Sequence, residues 1–348
     1  MDMELFHKLK HFLAVVFLQL GFAGIDILRK KALNRGMSIY VLLVYRQAIA
    51  TLVIAPFAFF LEKDRPKMTL SIFIRLMGLG LLESVDQNMY YLGMKHTTAT
   101  FAAAMRNIIP AITFVIAWIV CLERVEMRSI RSQAKVLGTL ATVAGAMIMT
   151  LIEGPVLELF WIRGGGTTTN NIQNGSATGG ISLQNSIKGS LLITVGCFNR
   201  AFFMILQKIT LRTYPTELSL AAWICFLGTV ENAVVALFME RGNATVWFIQ
   251  WDAKLLAAVY SGIVHLGFTY YIEGVVMKQR GPVFVTAFSP LSMVLVAVLS
   301  TSILAEQLFL WRLIGAVVIV AGLYLVVWGQ KQGPSPIDEQ QALPTEVC

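Results

Sequence analysis

Apolar stretches of about 20 residues return ten times along the chain, at residues 11–31, 38–61, 70–94, 98–121, 132–152, 189–211, 217–239, 253–277, 281–304 and 308–329. A helix of about 20 apolar residues is long enough to cross the hydrocarbon core of a bilayer. The pattern therefore predicts an all-α integral membrane protein with ten transmembrane helices. One long polar insert, residues 153–188, separates the fifth run from the sixth. Its GGGTTTNNIQNGSATGG core has no packing face and reads as a flexible linker. The expected organisation is a five-helix repeat over 11–152, a non-cytoplasmic linker over 153–188, a second five-helix repeat over 189–329 and a disordered cytoplasmic tail over 330–348.

The two halves repeat one another. Ile27-Leu28-Arg29-Lys30 returns as Ile205-Leu206-Gln207-Lys208, and Glu62-Lys63 as Glu240-Arg241, each 178 positions later. Tyr90-Tyr91 returns as Tyr270-Tyr271 and Pro110 as Pro290, 180 positions later. The closing run of each half carries small residues seven apart, Gly138 and Gly145 in the first, Gly315 and Gly322 in the second, a spacing that suits close helix packing. An odd number of spans per half makes the repeats inverted relative to one another, the plan of many carriers. Membership of the first run in this repeat argues against its being a cleaved signal peptide.

Composition supports the membrane class. Hydrophobic residues make up 56% of the chain and charged ones 14%, against about 45–50% and 25% in soluble domains. The net charge of +8 comes without a basic stripe or a recognition motif, so no nucleic-acid partner is expected. The basic residues fall in short connections, and an N-terminus in the cytoplasm puts most of them, Lys63, Arg65, Lys67, Arg124, Arg128, Lys278 and Arg280 included, on the inner side. Arg29, Lys30, Lys31 and Arg35 break that rule. The sequons at Asn174 and Asn243 then lie outside, as glycosylation candidates. Four cysteines have neither metal-ligand spacing nor a disulfide pattern, and no HExxH or GxSxG constellation is present. The reading is not an enzyme, with no cofactor and no metal.

The chemistry lies in polar residues inside the apolar runs. Glu83, Asp86, Gln87, Asn88, Arg106 and Asn107 interrupt the third and fourth runs. A charge at the helix centre costs about 2.5–3.5 kcal/mol on insertion scales, so such groups face a cavity or one another. Asp86 stands ten residues before the turn near His96 and Arg106 ten after, which puts them at one depth in an antiparallel hairpin. The same reasoning pairs Asp26 with Arg46, and Arg200 with Glu231 across Tyr214-Pro215. Locking helices together is the plainer role for such pairs; lining a path is the functional one. Glu83, His265 and Glu273 lack evident partners and are proton-coupling candidates. Pro110 and Pro290, inside the fourth and ninth runs, are expected to kink their helices beside a central site, with Ser289 next to the second. Tyr90, Tyr91, Tyr270 and Tyr271 are candidates for its lining or for interface aromatics.

The segments DQNMYYLGMKHTTATFAAAM (86–105), PAITFV (110–115), RSQAKVLGT (131–139), YPTELSL (214–220), GPVFVTAFSPLS (281–292) and GAVVIVAGLYLVVWG (315–329) resemble the plant drug/metabolite exporters. The group most similar is the nodulin-21-like, Walls Are Thin-related proteins, also called UMAMIT transporters. The resemblance runs from about Phe12 to Gly329 and implies two EamA-type repeats, cytoplasmic termini and transport of amino acids or auxin-like compounds. It also implies a plant plasma membrane or vacuolar membrane. The chain departs from the family pattern at Arg106, Arg200, His265 and Glu273, which add charge around the expected cavity and fit an anionic or zwitterionic solute. The expected partners are a small organic solute and the bilayer. The expected activity is secondary transport by alternating access, through Asp86, Gln87, Asn88, Tyr90, Arg106, Asn107, Pro110, Arg200, Tyr270, Ser289 and Pro290. An auxin or related aromatic-acid carrier is the alternative substrate class, and a non-transporting receptor or scaffold the alternative of another kind.

Overall fold

A computed structural model of the chain describes residues 15–16, 38–62, 66–96, 105–120, 122, 129–151, 156–157, 183–241, 247, 253–295 and 308–329. Asp26, Asn174 and Asn243, most of the first apolar run and of the linker, and the whole tail lie outside the described residues. The first half contains α1 (Ile39–Leu61), α2 (Leu70–His96), α3 (Ile109–Ile119) and α4 (Ile130–Leu151). The second half contains α5 (Leu183–Thr213), α6 (Glu217–Met239), α7 (Ala253–Tyr260), a π-helical segment (Ser261–Phe268), α8 (Thr269–Arg280), α9 (Pro282–Ala287) and α10 (Leu310–Gly329). A two-residue antiparallel bridge joins Val156–Leu157 to Leu308–Phe309.

Among the described residues, three helices are long and apolar enough to cross a membrane by length and composition: Ile39–Leu61, Ile187–Thr213 and Glu217–Met239. α2 has the length but carries Arg75, Glu83, Asp86, Gln87 and Asn88. The fold is an all-α membrane bundle in which one core joins both halves, with Ile54 of α1, Leu76 and Leu79 of α2, Phe203 of α5, Ile224 of α6 and Ile319 of α10 in one cluster. Its outer face is apolar as well, at Phe57, Phe60, Leu81, Trp118, Leu237 and Tyr324, where the solvent is lipid.

α4 packs antiparallel against its equivalent in the second half, α10. A Cβ added to Gly138 would lie 2.6 Å from the carbonyl oxygen of Gly322, and one added to Gly315 would lie 2.6 Å from that of Gly145. The reciprocal contacts, Gly322 on Gly138 and Gly145 on Gly315, are both 2.8 Å. These distances leave no room for a side chain, so the glycines set the separation of α4 and α10. Gly138→Leu is expected to force the helices apart and cost roughly 1–3 kcal/mol, as overpacking does. Thermal unfolding in detergent checks this, and an unchanged midpoint would contradict it.

α1 and α6 repeat the arrangement. Thr51 and Thr229, related by the 178-residue offset, meet hydroxyl to hydroxyl at 3.4 Å. At one end of the pair the Glu62 carboxylate accepts from the backbone N–H groups of Leu218 and Ser219 at 2.9 and 2.8 Å, completing the N-terminus of α6. At the other end Glu240, the repeat equivalent of Glu62, accepts from the hydroxyl of Ser38, which precedes α1, at 2.5 Å. These reciprocal contacts make the halves inverted repeats.

The fourth and ninth apolar runs are interrupted at their prolines. The chain turns at Asn107 and Ile108, and α3 begins at Ile109 with Pro110 in its first turn. There the missing N–H removes no intrahelical bond. In the second half α9 ends at Ala287, residues 288–290 turn, and helix resumes over 291–295. Hydrogen bonds from Ser289 N to Thr286 O and from Leu291 N to Phe288 O tighten that passage. The corner before α9 is made by Gly281, whose φ of 84° suits glycine. Pro110 thus stands at a helix start rather than inside a continuous helix, whereas Pro290 lies within the apolar helix Pro282–Leu295 and tightens one turn of it.

Candidate functional site

Arg106, at the first interruption, lines a cavity of about 50 Å³. One face of α2 supplies Glu83, Asp86, Gln87, Tyr90 and Tyr91, positions that recur at helical spacing. Arg46 of α1, Arg106 just before α3, Arg200 of α5, and Thr269 and Tyr270 of α8 complete the wall. Sequence reasoning placed Arg46 only in an ion pair and did not single out Thr269. The neighbour Tyr270 is the one signal that could have pointed to Thr269.

Charges in the wall meet in pairs. Arg106 Nη2 donates to Asp86, 3.1 Å from Oδ2 and 3.3 Å from Oδ1. The same guanidinium lies over the Tyr90 ring, 4.2 Å from its centroid. The Arg106 side chain is 37% exposed while that of Asp86 is 4% exposed, so the guanidinium keeps donors open to the cavity. Arg200 bridges two helices, with Nη1 3.0 Å from Glu83 Oε2 on α2 and Nη2 3.5 Å from Glu273 Oε1 on α8. Gln87 joins the network by donating to Glu83 and accepting from Arg46. At this depth each pairing offsets part of the desolvation cost of its charges.

Several expected contacts fall elsewhere. Arg200 does not pair with Glu231. The carboxylate of Glu231 accepts from Ser84 Oγ at 3.1 Å and covers Gly80, on the side of α2 that faces α6. Depth was matched across the α5–α6 turn, but the rotation of α6 points Glu231 away from Arg200. Asn88 follows Ser84 to that second face, where it donates to Asn232 Oδ1 at 3.1 Å, and it is not part of the cavity wall. Asn107 instead ties the two breaks together, its Nδ2 donating to the thioether of Met293 at 3.0 Å. Pro110, Ser289 and Pro290 shape the breaks without lining the cavity. Tyr271 turns outward from α8, unlike the buried Tyr270. His265 falls in the π-helical segment, and its side chain lies outside the described residues. Among the described residues, no group of His, Cys, Asp and Glu could hold a metal ion.

Inverted helical repeats, proline-interrupted helices in corresponding positions and a charged cavity are the architecture of a membrane transporter. The chain belongs to the EamA-like transporter family, whose model matches residues 9–151 and 187–328. It is 62% identical over 325 residues to the WAT1-related protein At2g37460 of Arabidopsis thaliana, covering 93% of this chain and 83% of that protein. The WAT1-related proteins At2g39510 and At2g37450 of the same plant are 56% and 55% identical, over 94% and 92% of this chain and 86% and 87% of theirs. One solved crystal structure superimposes with a TM-score of 0.70 at 14% identity, over 93% of this chain and 99% of that one, a likeness of fold.

Proposed function

We propose that the chain is a secondary carrier of amino acids that works by alternating access. The observation that carries this reading is the two-signed cavity wall, with the guanidiniums of Arg106 and Arg200 beside the carboxylates of Glu83 and Asp86. A zwitterion matches it at both ends: its carboxylate meets the guanidiniums and its ammonium the carboxylates. A cavity of about 50 Å³ holds only a few waters, at about 10–15 Å³ each on this measure. An amino acid therefore enters a wider state than this one, opened as the halves rock about the site. In this reading Pro110 and Pro290 shape the segments that move, and the helix breaks at Asn107 and Ser289 are their hinges. Both termini face the cytoplasm, and the plasma membrane is the favoured location.

A second reading, an auxin or related aromatic acid, is favoured by the aromatic wall of Tyr90, Tyr91 and Tyr270. Uptake of radiolabelled amino acids and of indole-3-acetic acid in proteoliposomes separates the two. Uptake of amino acids above that by protein-free vesicles is the expected result. Specific uptake of the indole acid alone would replace the amino-acid reading with the second one.

A further inference from the structure

The two carboxylates on Arg200 hold it unequally. Glu83 approaches Nη1 at 3.0 Å and is itself held by the Gln87 amide. Glu273 stands 3.5 Å from Nη2, longer than the 2.7–2.9 Å typical of a charge-assisted hydrogen bond. It is buried, and among the described residues its Oε2 has no hydrogen-bond partner. Arg200 lines the cavity, as do Thr269 and Tyr270 of α8, whereas Glu273, a turn further along α8, is set back from the wall. Among the described residues, the charged groups that face Glu273 are Arg200 on α5 and Glu83 on α2, with Tyr270 and Asp86 in the field of the same guanidinium. A carboxylate arriving from the cavity therefore competes for Arg200 with Glu273, the more loosely held partner.

That exchange has a charge consequence. Each incoming carboxylate adds one negative charge to a site in low dielectric. A zwitterion brings its own ammonium to answer the charge; an anion brings nothing. We propose that Glu273 is a displaceable counter-ion of Arg200, and that it binds one proton when, and only when, the solute carries a net negative charge. The proposal rests on the reading of the chain as a carrier of carboxylate-bearing solutes. The proton comes from water on the side of entry, converts the displaced carboxylate to a carboxylic acid, and leaves on the far side as Glu273 returns to Arg200. No other bond changes.

Glutamine and glutamate are near-isosteric and differ by this one charge, so they provide the test. Proteoliposomes containing the full chain would be given a one-unit pH gradient, alkaline inside, with the membrane potential clamped at zero. Glutamate is expected to accumulate about tenfold at equilibrium, the ratio that one pH unit is worth, while glutamine only equilibrates. A pH dye trapped inside should record acidification with glutamate and none with glutamine. In Glu273→Gln the glutamate gradient is expected to vanish, so that glutamate no longer follows the pH gradient. Should that variant fail to fold, the wild-type dye signal alone decides. Glutamate that fails to follow the pH gradient, or glutamine that follows it equally, overturns the counter-ion role. No flux of either solute overturns the solute assignment beneath it, and this proposal with it.

Discussion

Arg200→Ala is expected to destabilise the protein by about 3–5 kcal/mol, the cost of removing one partner from a buried ion pair. The side chain is 15% exposed and stands between Glu83 and Glu273, which are 3% and 5% exposed. Without the guanidinium two carboxylates on different helices face one another with no cation between them, and α2, α5 and α8 lose their common tie. The triple variant Arg200→Leu, Glu83→Gln, Glu273→Gln should recover most of the loss, because it removes the charges along with their partner. The measurement is the thermal midpoint of purified protein in one detergent. A fall of less than about 1 kcal/mol, a surface ion pair's worth, would contradict the buried bridge.

The second large effect is on transport. Arg106→Gln is expected to lower amino-acid uptake roughly 30- to 150-fold, the equivalent of about 2–3 kcal/mol for hydrogen bonds to a charged group. That variant alone strands Asp86, which is buried, so a loss of folded protein could imitate a loss of binding. The double variant Asp86→Asn, Arg106→Gln removes both charges. It should regain thermal stability and still fail to transport. Uptake restored along with stability would assign Arg106 a purely structural part.

Much of this arrangement was legible from spacing alone. The 178-residue offset identified the repeats, and the Thr51–Thr229 contact joins two positions that it relates. Glycines seven apart pointed to close packing because a helix turns twice in about seven residues, keeping one stripe against its partner. Equal distances from the turn near His96 brought Asp86 and Arg106 to one depth, and the structure joins them at 3.1 Å. Depth is linear in residue number, so counting recovers it. Rotation about the helix axis is not, and this is where counting fell short. Arg200 and Glu231 share a depth, yet α6 turns Glu231 to Ser84. Ser84 and Asn88 differ from Glu83 and Gln87 by one position, about 100° around α2, and so serve α6 rather than the cavity. Pro110 misled in a related way. A lone proline in an apolar run is compatible with a kink, as at Pro290, or with a new helix start, and only the turn at residues 107–108 decides for Pro110.

The division of α2 also accounts for its unusual composition. Toward the cavity it presents charge, toward α6 an uncharged hydrogen-bonded set completed by Asn232, whose Nδ2 donates to Ser84 Oγ at 3.0 Å. A helix polar on two faces gains its place in a membrane only if both faces are covered by protein.

The most direct test of the central claim is flux. Purified protein in liposomes, given external radiolabelled amino acids beside protein-free vesicles, should show saturable uptake that Arg106→Gln reduces by the factor given above. Saturable uptake equal in wild type and variant would show transport by some route other than the Arg106 site. No uptake of any amino acid would contradict the substrate assignment and leave only the fold and the family.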